Sequence, residues 1–237
     1  MNKVTELTLK EIHPNWLPLF NSTSINLVDL LDQTIQKVIN TGDRLCPDHP
    51  SKILKCLSVN PDDITAIICG ADPYPQPKIA LGTAFSCEGK WQPSLNIMVR
   101  ELVKEYDDET IFDRFDGTLK HWVDQGVILI NSALSCKEWT PNSHFEIWKP
   151  FMTELFKIFN DLKITQESMN SIVFVFLGKS AQSYSNLIND SIHYKIFRNH
   201  PAAETHGALK FEGFYTEVNN YLSETNRDSK KFILYFN

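Results

Sequence analysis

The chain has 237 residues, a hydrophobic content of 42%, a charged content of 22% and a formal net charge of −6. These values fit a folded domain of ordinary size. They exclude a disordered polymer and a protein that coats nucleic acid by bulk charge, although a local patch suffices for a DNA enzyme. No stretch approaches the roughly 18 apolar residues of a membrane span, and Met1 to Phe20 lacks the apolar run of a secretory signal, so neither membrane insertion nor export is expected.

In chain order, residues 24–39 place apolar side chains at helical spacing, and Pro47 and Pro50 then interrupt before a shorter helix over 52–57. Residues 1–60 therefore read as helical. Four short apolar runs follow, at 65–71, 127–131, 171–177 and 194–197, each reading as a buried parallel strand. Helical patterns occupy 94–106, 118–124, 146–160, 181–188 and 213–222. Alternation of this kind predicts βαβ units. The expected fold is α/β, a three-layer α/β/α arrangement around a central four-stranded, mostly parallel sheet. With no repeat, low-complexity run or Gly/Ser linker, a single domain over 1–237 is expected.

Cys46, Cys56, Cys69, Cys87 and Cys136 are odd in number and scattered, with no C-x-x-C pair and no zinc spacing. They read as free thiols in a reducing compartment, which makes a cytoplasmic location the expectation.

In open parallel sheets ligands bind beyond the carboxyl ends of the strands. The residues there are Ala71-Asp72-Pro73-Tyr74, Asn131-Ser132, Gly178-Lys179-Ser180 and Asn199-His200-Pro201. Each has an ordinary explanation alone: Asp72 as a turn former, Asn131 as a cap, His200 as a hydrogen-bonded loop histidine, Phe85 as core. Together they bring an acid, an amide, a tight turn and an imidazole to one crevice.

Those residues carry a resemblance. Gly70-Ala71-Asp72-Pro73-Tyr74 with the later Gly82-Thr83-Ala84-Phe85-Ser86 resembles the water-activating segment and stacking aromatic of the family 1 uracil-DNA glycosylases. Gln92-Pro93-Ser94-Leu95 resembles their Pro-Pro-Ser-Leu loop, and Gly126 to Asn131 their uracil-reading strand. Leu177-Gly178-Lys179-Ser180-Ala181-Gln182 resembles their Trp-Gly-Ser-x-Ala-Gln turn, and Asn199-His200-Pro201 their minor-groove loop. The motifs keep the family's order and cover residues 65–220.

The resemblance implies hydrolysis of the N-glycosidic bond of deoxyuridine in DNA by base flipping, with no metal or cofactor. Asp72 and His200 are then the catalytic pair, and Ala71, Tyr74, Phe85 and Asn131 contact the base. Pro93, Ser94, Gly178, Lys179, Ser180, Pro201, Ala202 and Glu204 grip the DNA. The chemistry suits these types. A flipped pyrimidine wants an aromatic face and an amide that matches O4 and N3–H, and a ring such as Tyr74 blocks the C5 methyl of thymine. Ser94 also reads as a plain helix N-cap.

Ala71 replaces the family's Gln and Pro75 its His. The family's His-Pro-Ser-Pro-Leu-Ser becomes His200-Pro201-Ala202-Ala203-Glu204-Thr205, which is closer to a poxvirus-like branch whose members also act in a replication complex. Glu204 stands where an apolar wedge is expected, with Leu209 and Phe211 as distant substitutes. Weak extrusion from duplexes and a preference for single strands follow. A monomer is expected, with an inhibitor protein or a replication factor as candidate partner. Two rivals stay open: a non-catalytic DNA-binding relative, and an enzyme for another damaged base. A nucleotide-binding enzyme is disfavoured by the lack of G-x-G-x-x-G.

Overall fold

The computed structural model describes residues 1–22, 24–162, 171–206 and 212–225. Helices α1 (Lys3–Leu9), α2 (Trp16–Ser22) and α3 (Leu27–Asn40) lead the chain. The amphipathic run begins its helix at Leu27 because the Asn26 side chain accepts the Asp29 N–H at 3.0 Å. A two-residue strand, β1 (Leu45–Cys46), follows. The expected helix over 52–57 is instead a pair of 3-10 turns, Pro50–Lys52 and Lys55–Ser58. Leu54 and Leu57 leave helical φ/ψ, so the hydrogen-bond ladder cannot run through.

The remaining elements are β2 (Ala66–Gly70), α4 (Pro93–Tyr106), α5 (Ile111–Arg114), α6 (Lys120–Val123), β3 (Val127–Asn131), β4 (Cys136–Lys137), α7 (Phe145–Asp161), β5 (Val173–Leu177), α8 (Lys179–Gln182), β6 (Tyr194–Arg198) and α9 (Phe214–Thr225). The helix expected over 181–188 splits into α8 and a 3-10 turn at Ser185–Leu187. A short antiparallel pair joins β1 to β4, with Cys46 opposite Cys136. The main sheet has the order β3-β2-β5-β6, and every pairing in it is parallel.

Each central strand feeds two cores, which explains why the runs are apolar without alternation. Ile67, Cys69, Ile128, Ile130, Phe174 and Phe176 face one side, where Trp16, Phe20, Trp148, Phe151, Phe156 and Phe159 pack. Ile68, Leu129, Val175 and Leu177 face the other, against Leu95, Met98, Leu102, Phe214, Tyr215 and Val218. The result is the three-layer α/β/α arrangement. Burying each large side chain contributes about 1.5–3 kcal/mol.

Asp32 on α3 accepts the Asn2 N–H and the Thr5 hydroxyl, both at 2.7 Å, which docks α1 on α3. The Trp16 indole donates to the Val59 carbonyl at 2.9 Å. The N-terminal helices thus complete the first core. All five cysteines are buried free thiols. Among the described residues no helix is long and apolar enough to cross a membrane.

Candidate active site

β2 is followed by its neighbour β3 on one side, and β5 by its neighbour β6 on the other, so the carboxyl ends of β2 and β5 flank a crevice at the point where the winding reverses. The loops above it are tied down. The Ser132 hydroxyl and N–H both donate to the Gly70 carbonyl, at 2.7 and 3.0 Å, and the Ala133 N–H donates to Ala71. On the other flank the Gly178 N–H donates to the Arg198 carbonyl at 2.9 Å.

A pocket of about 210 Å³ opens there, lined by Asp72, Tyr74, Phe85, Ser94, Asn131, His200 and Ala202 among others. Its floor is Gly70. A Cβ at that position would lie 2.7 Å from Asn131 Oδ1 and 2.7 Å from Phe85 Cζ. The missing side chain is therefore what lets the amide and the ring sit side by side.

Phe85 stands with φ at 65°, a left-handed conformation that a bulky residue adopts only when its surroundings impose it. The Tyr74 hydroxyl supplies part of that hold, donating to the Phe85 carbonyl at 2.9 Å. The same hydroxyl accepts the Leu95 N–H at the start of α4, and burial pushes its pKa up. Tyr74 thus lines the pocket with its ring while its tip braces the opposite wall. Phe85 and His200 face each other across the pocket, with ring centroids 5.7 Å apart and planes at 38°.

Asp72 stands two residues beyond the end of β2. Its Oδ2 accepts the Asn142 N–H at 2.7 Å. The Cys136 thiol, which donates to the Pro73 carbonyl at 3.4 Å, also hydrogen-bonds the carboxyl. Burial outweighs both partners and holds the Asp72 pKa above the usual carboxylate range. Burial acts in the opposite sense on His200, pushing its pKa down to about 4, so the ring is neutral at pH 7. Its Nδ1 accepts the Ala202 N–H at 3.2 Å. A neutral imidazole with Nδ1 occupied as acceptor carries its proton on Nε2, leaving that atom as a donor. Gly178 (φ 89°) lies under His200, where a Cβ would come within 2.9 Å of the histidine Cβ.

Ser94 does not cap α4. Gln92 occupies the N-cap position and Pro93 the first turn, because proline's fixed φ suits the helix start and its missing N–H is not needed there. Ser94 is buried in the pocket wall instead. Ala71, Pro93, Gly178, Lys179, Ser180 and Pro201 stay outside the pocket lining. Lys179 is exposed at the start of α8, and Pro201 opens a 3-10 turn, Pro201–His206, that also contains Glu204. The Glu204 side chain, Leu209 and Phe211, the residues of the expected wedge, lie outside the described residues.

Asn142 and the role of Cys136 were not expected from the sequence: both reach Asp72 from a segment distant in the chain, with no local pattern to mark them. Gly70 and Ser132 stood in view at the strand ends, but only the folded contacts show their use. Among the described residues, no group of three or more His, Cys, Asp or Glu side chains is placed to hold a metal.

No protein-family model matches the chain. A uracil-DNA glycosylase from Borrelia hermsii (strain HS1 / DAH) is 33% identical over 174 residues, covering 72% of this chain and 74% of its own. Another, from Lactococcus lactis subsp. cremoris, is 29% identical over 202 residues, or 84% of this chain and 86% of its own. Among solved structures, mimivirus uracil-DNA glycosylase superposes with a TM-score of 0.74 at 21% identity, over 95% of this chain and 87% of that one. A variant of that mimivirus protein has also been solved in complex with UGI.

Proposed function

From the premise that this chain belongs to the uracil-DNA glycosylase family, we propose how its pocket performs the family's reaction. The protein is a DNA-repair hydrolase that breaks the N-glycosidic bond of deoxyuridine in DNA. Uracil is released and an abasic site remains. The observation that carries the mechanism is that Asp72, Phe85, Asn131 and His200 line one small pocket at the strand ends.

The glycosidic carbon is inaccessible inside a duplex, so the deoxyuridine is flipped into the pocket. Phe85 stacks on the ring. The Asn131 amide pairs with O4 and N3–H, and cytosine, with the opposite pattern, would leave buried groups unpaired. The Tyr74 ring occupies the space a thymine methyl would need.

As the C1′–N1 bond breaks, its electron pair leaves with uracil and positive charge builds on the sugar. The Nε2–H of neutral His200 donates to O2, where the negative charge collects. Asp72, ionised, faces the developing cation and takes a proton from the water that adds to C1′. Its raised pKa makes it a better base. Asn142 and Cys136 hold the carboxylate in position.

Ser94, Gly178, Lys179, Ser180, Pro201 and Ala202 surround the pocket mouth or its flanking turns and serve as backbone contacts, fixing register without reading sequence. The side chains of Ala202 and Ala71 offer no polar group to DNA, leaving only their main chains for contact, which favours single strands, where unstacking costs less. A protein inhibitor that covers the mouth is a fitting partner, in line with the UGI complex of the mimivirus variant. Activity as a single-domain monomer completes the reading.

The test is incubation with single- and double-stranded oligonucleotides carrying one deoxyuridine, followed by alkaline cleavage of abasic sites. Strand scission at the uracil position, faster on the single strand, is expected. Binding without scission would support the rival reading of a non-catalytic relative.

A further inference from the structure

Trp139 is 68% exposed, the most exposed large hydrophobic side chain among the described residues. The other tryptophans, Trp16, Trp122 and Trp148, are fully buried, and Trp91 is half-buried. An indole left in water costs free energy unless something covers it in function.

The backbone presents this ring firmly. Trp139 sits in the left-handed region with φ at 61°. Its N–H donates to the Pro75 carbonyl at 2.8 Å, and a bridge between Lys137 and Thr140 closes the turn. Pro75 lines the catalytic pocket, as does Pro141 on the far side of the same turn, and the next residue, Asn142, holds Asp72. The ring therefore stands on the rim of the pocket, on a turn shared with the catalytic carboxylate.

The charges nearby are mixed. Arg44 is joined to this turn through its carbonyl, which accepts the Glu138 N–H at 2.8 Å. Lys78 belongs to the loop that carries Pro75. Both are exposed, and among the described residues neither makes an ion pair. Against them stand Glu138, half-buried beside the ring, and Lys137, already paired with Asp43 at 2.8 Å. An exposed aromatic on a rigid turn, with cations on the adjoining loops, is how proteins hold unpaired bases.

We propose that Trp139 is a stacking platform for an unpaired base of single-stranded DNA beside the flipped deoxyuridine. This deepens the single-strand preference proposed above and rests on that reading. The indole covers one base face, Arg44 and Lys78 meet the adjoining phosphates, and no sequence is read because every base offers a face.

The experiment compares wild type, Trp139→Ala and Trp139→Phe in two measurements. The first is affinity for plain oligo(dT), read by fluorescence anisotropy, which needs no catalysis. The second is uracil release from single-stranded and duplex oligonucleotides. For Trp139→Ala the oligo(dT) Kd and the single-strand KM should rise roughly 5- to 150-fold, the range for loss of one base stack. The kcat should stay within about twofold, duplex KM should change less, and Trp139→Phe should recover most of the loss. Trp139→Ala binding oligo(dT) as tightly as wild type would overturn the proposal and leave the glycosylase reading intact. Failure of wild type to release uracil would instead strike that reading, while the oligo(dT) comparison would still decide the role of Trp139.

Discussion

The hydroxyl of Tyr74 donates to the carbonyl of Phe85 at 2.9 Å, so the residue proposed to exclude thymine also fixes the residue proposed to stack on uracil. The bond holds Phe85 in a left-handed conformation it would not choose alone. Ring and hydroxyl can be separated by mutation.

Tyr74→Phe keeps the ring and loses the brace, leaving the Phe85 carbonyl and the Leu95 N–H without this partner. Stability should fall by about 1–3 kcal/mol, and thymine should still be refused. Thermal unfolding with a thymine-release assay checks both. Tyr74→Ala opens the space for the methyl, which is worth roughly 10- to 200-fold in discrimination, so thymine release should become measurable. An intact uracil activity with no thymine release would place the block elsewhere.

Asn131→Asp replaces the amide donor with a second acceptor. Uracil O4 then meets an oxygen, and uracil release should fall roughly 100-fold or more while some cytosine release appears. Mass-spectrometric detection of the freed bases measures both. Unchanged uracil release would remove Asn131 from the reading edge.

Gly70→Ala is a small substitution with a large expected effect. Its Cβ would meet both Asn131 Oδ1 and Phe85 Cζ at 2.7 Å. Overpacking of this kind costs about 1–3 kcal/mol of stability. The displaced amide and ring should lower kcat/KM on the order of 100-fold. Near-wild-type activity would mean that Asn131 and Phe85 yield without loss.

The pH profile follows from the burial of His200. A free histidine gains its proton below about 6.5, whereas His200 stays neutral until about 4. The kcat/KM should therefore show no acid limb centred near 6.5 that belongs to this ring. An acid limb should appear where Asp72, with its raised pKa, takes up a proton. For stability the sign is the same. Between about 6.5 and about 4 the unfolded chain binds a proton at this histidine that the folded chain does not, so the native state loses stability as pH falls through that window. A kcat/KM limb near 6.5 that vanishes in His200→Gln would contradict the assignment.

The strands at 127–131 and around 66–70 were legible because burial on both faces leaves continuous apolar runs. Their carboxyl ends then pointed to Asp72, Asn131 and His200 without reference to coordinates. The turn at Pro50–Lys52 and the split after Gln182 were not legible, because helical periodicity persists across short breaks in φ/ψ. Asn142 reaches Asp72 across 70 residues, and Cys136 across a similar gap, through contacts that leave no local signature. The lowered pKa of His200 comes from burial, which only the folded chain supplies.

The central claim is that Asp72 and His200 together drive the release of uracil. Its most direct test is uracil release from a single-stranded oligonucleotide in EDTA, comparing wild type with the Asp72→Asn, His200→Ala double variant. Oligo(dT) binding by both proteins serves as the control for folding. The account predicts rapid release by wild type, a loss on the order of 10⁴-fold or more in the variant, and similar DNA binding by both. Release by the folded variant at a rate near wild type would contradict it.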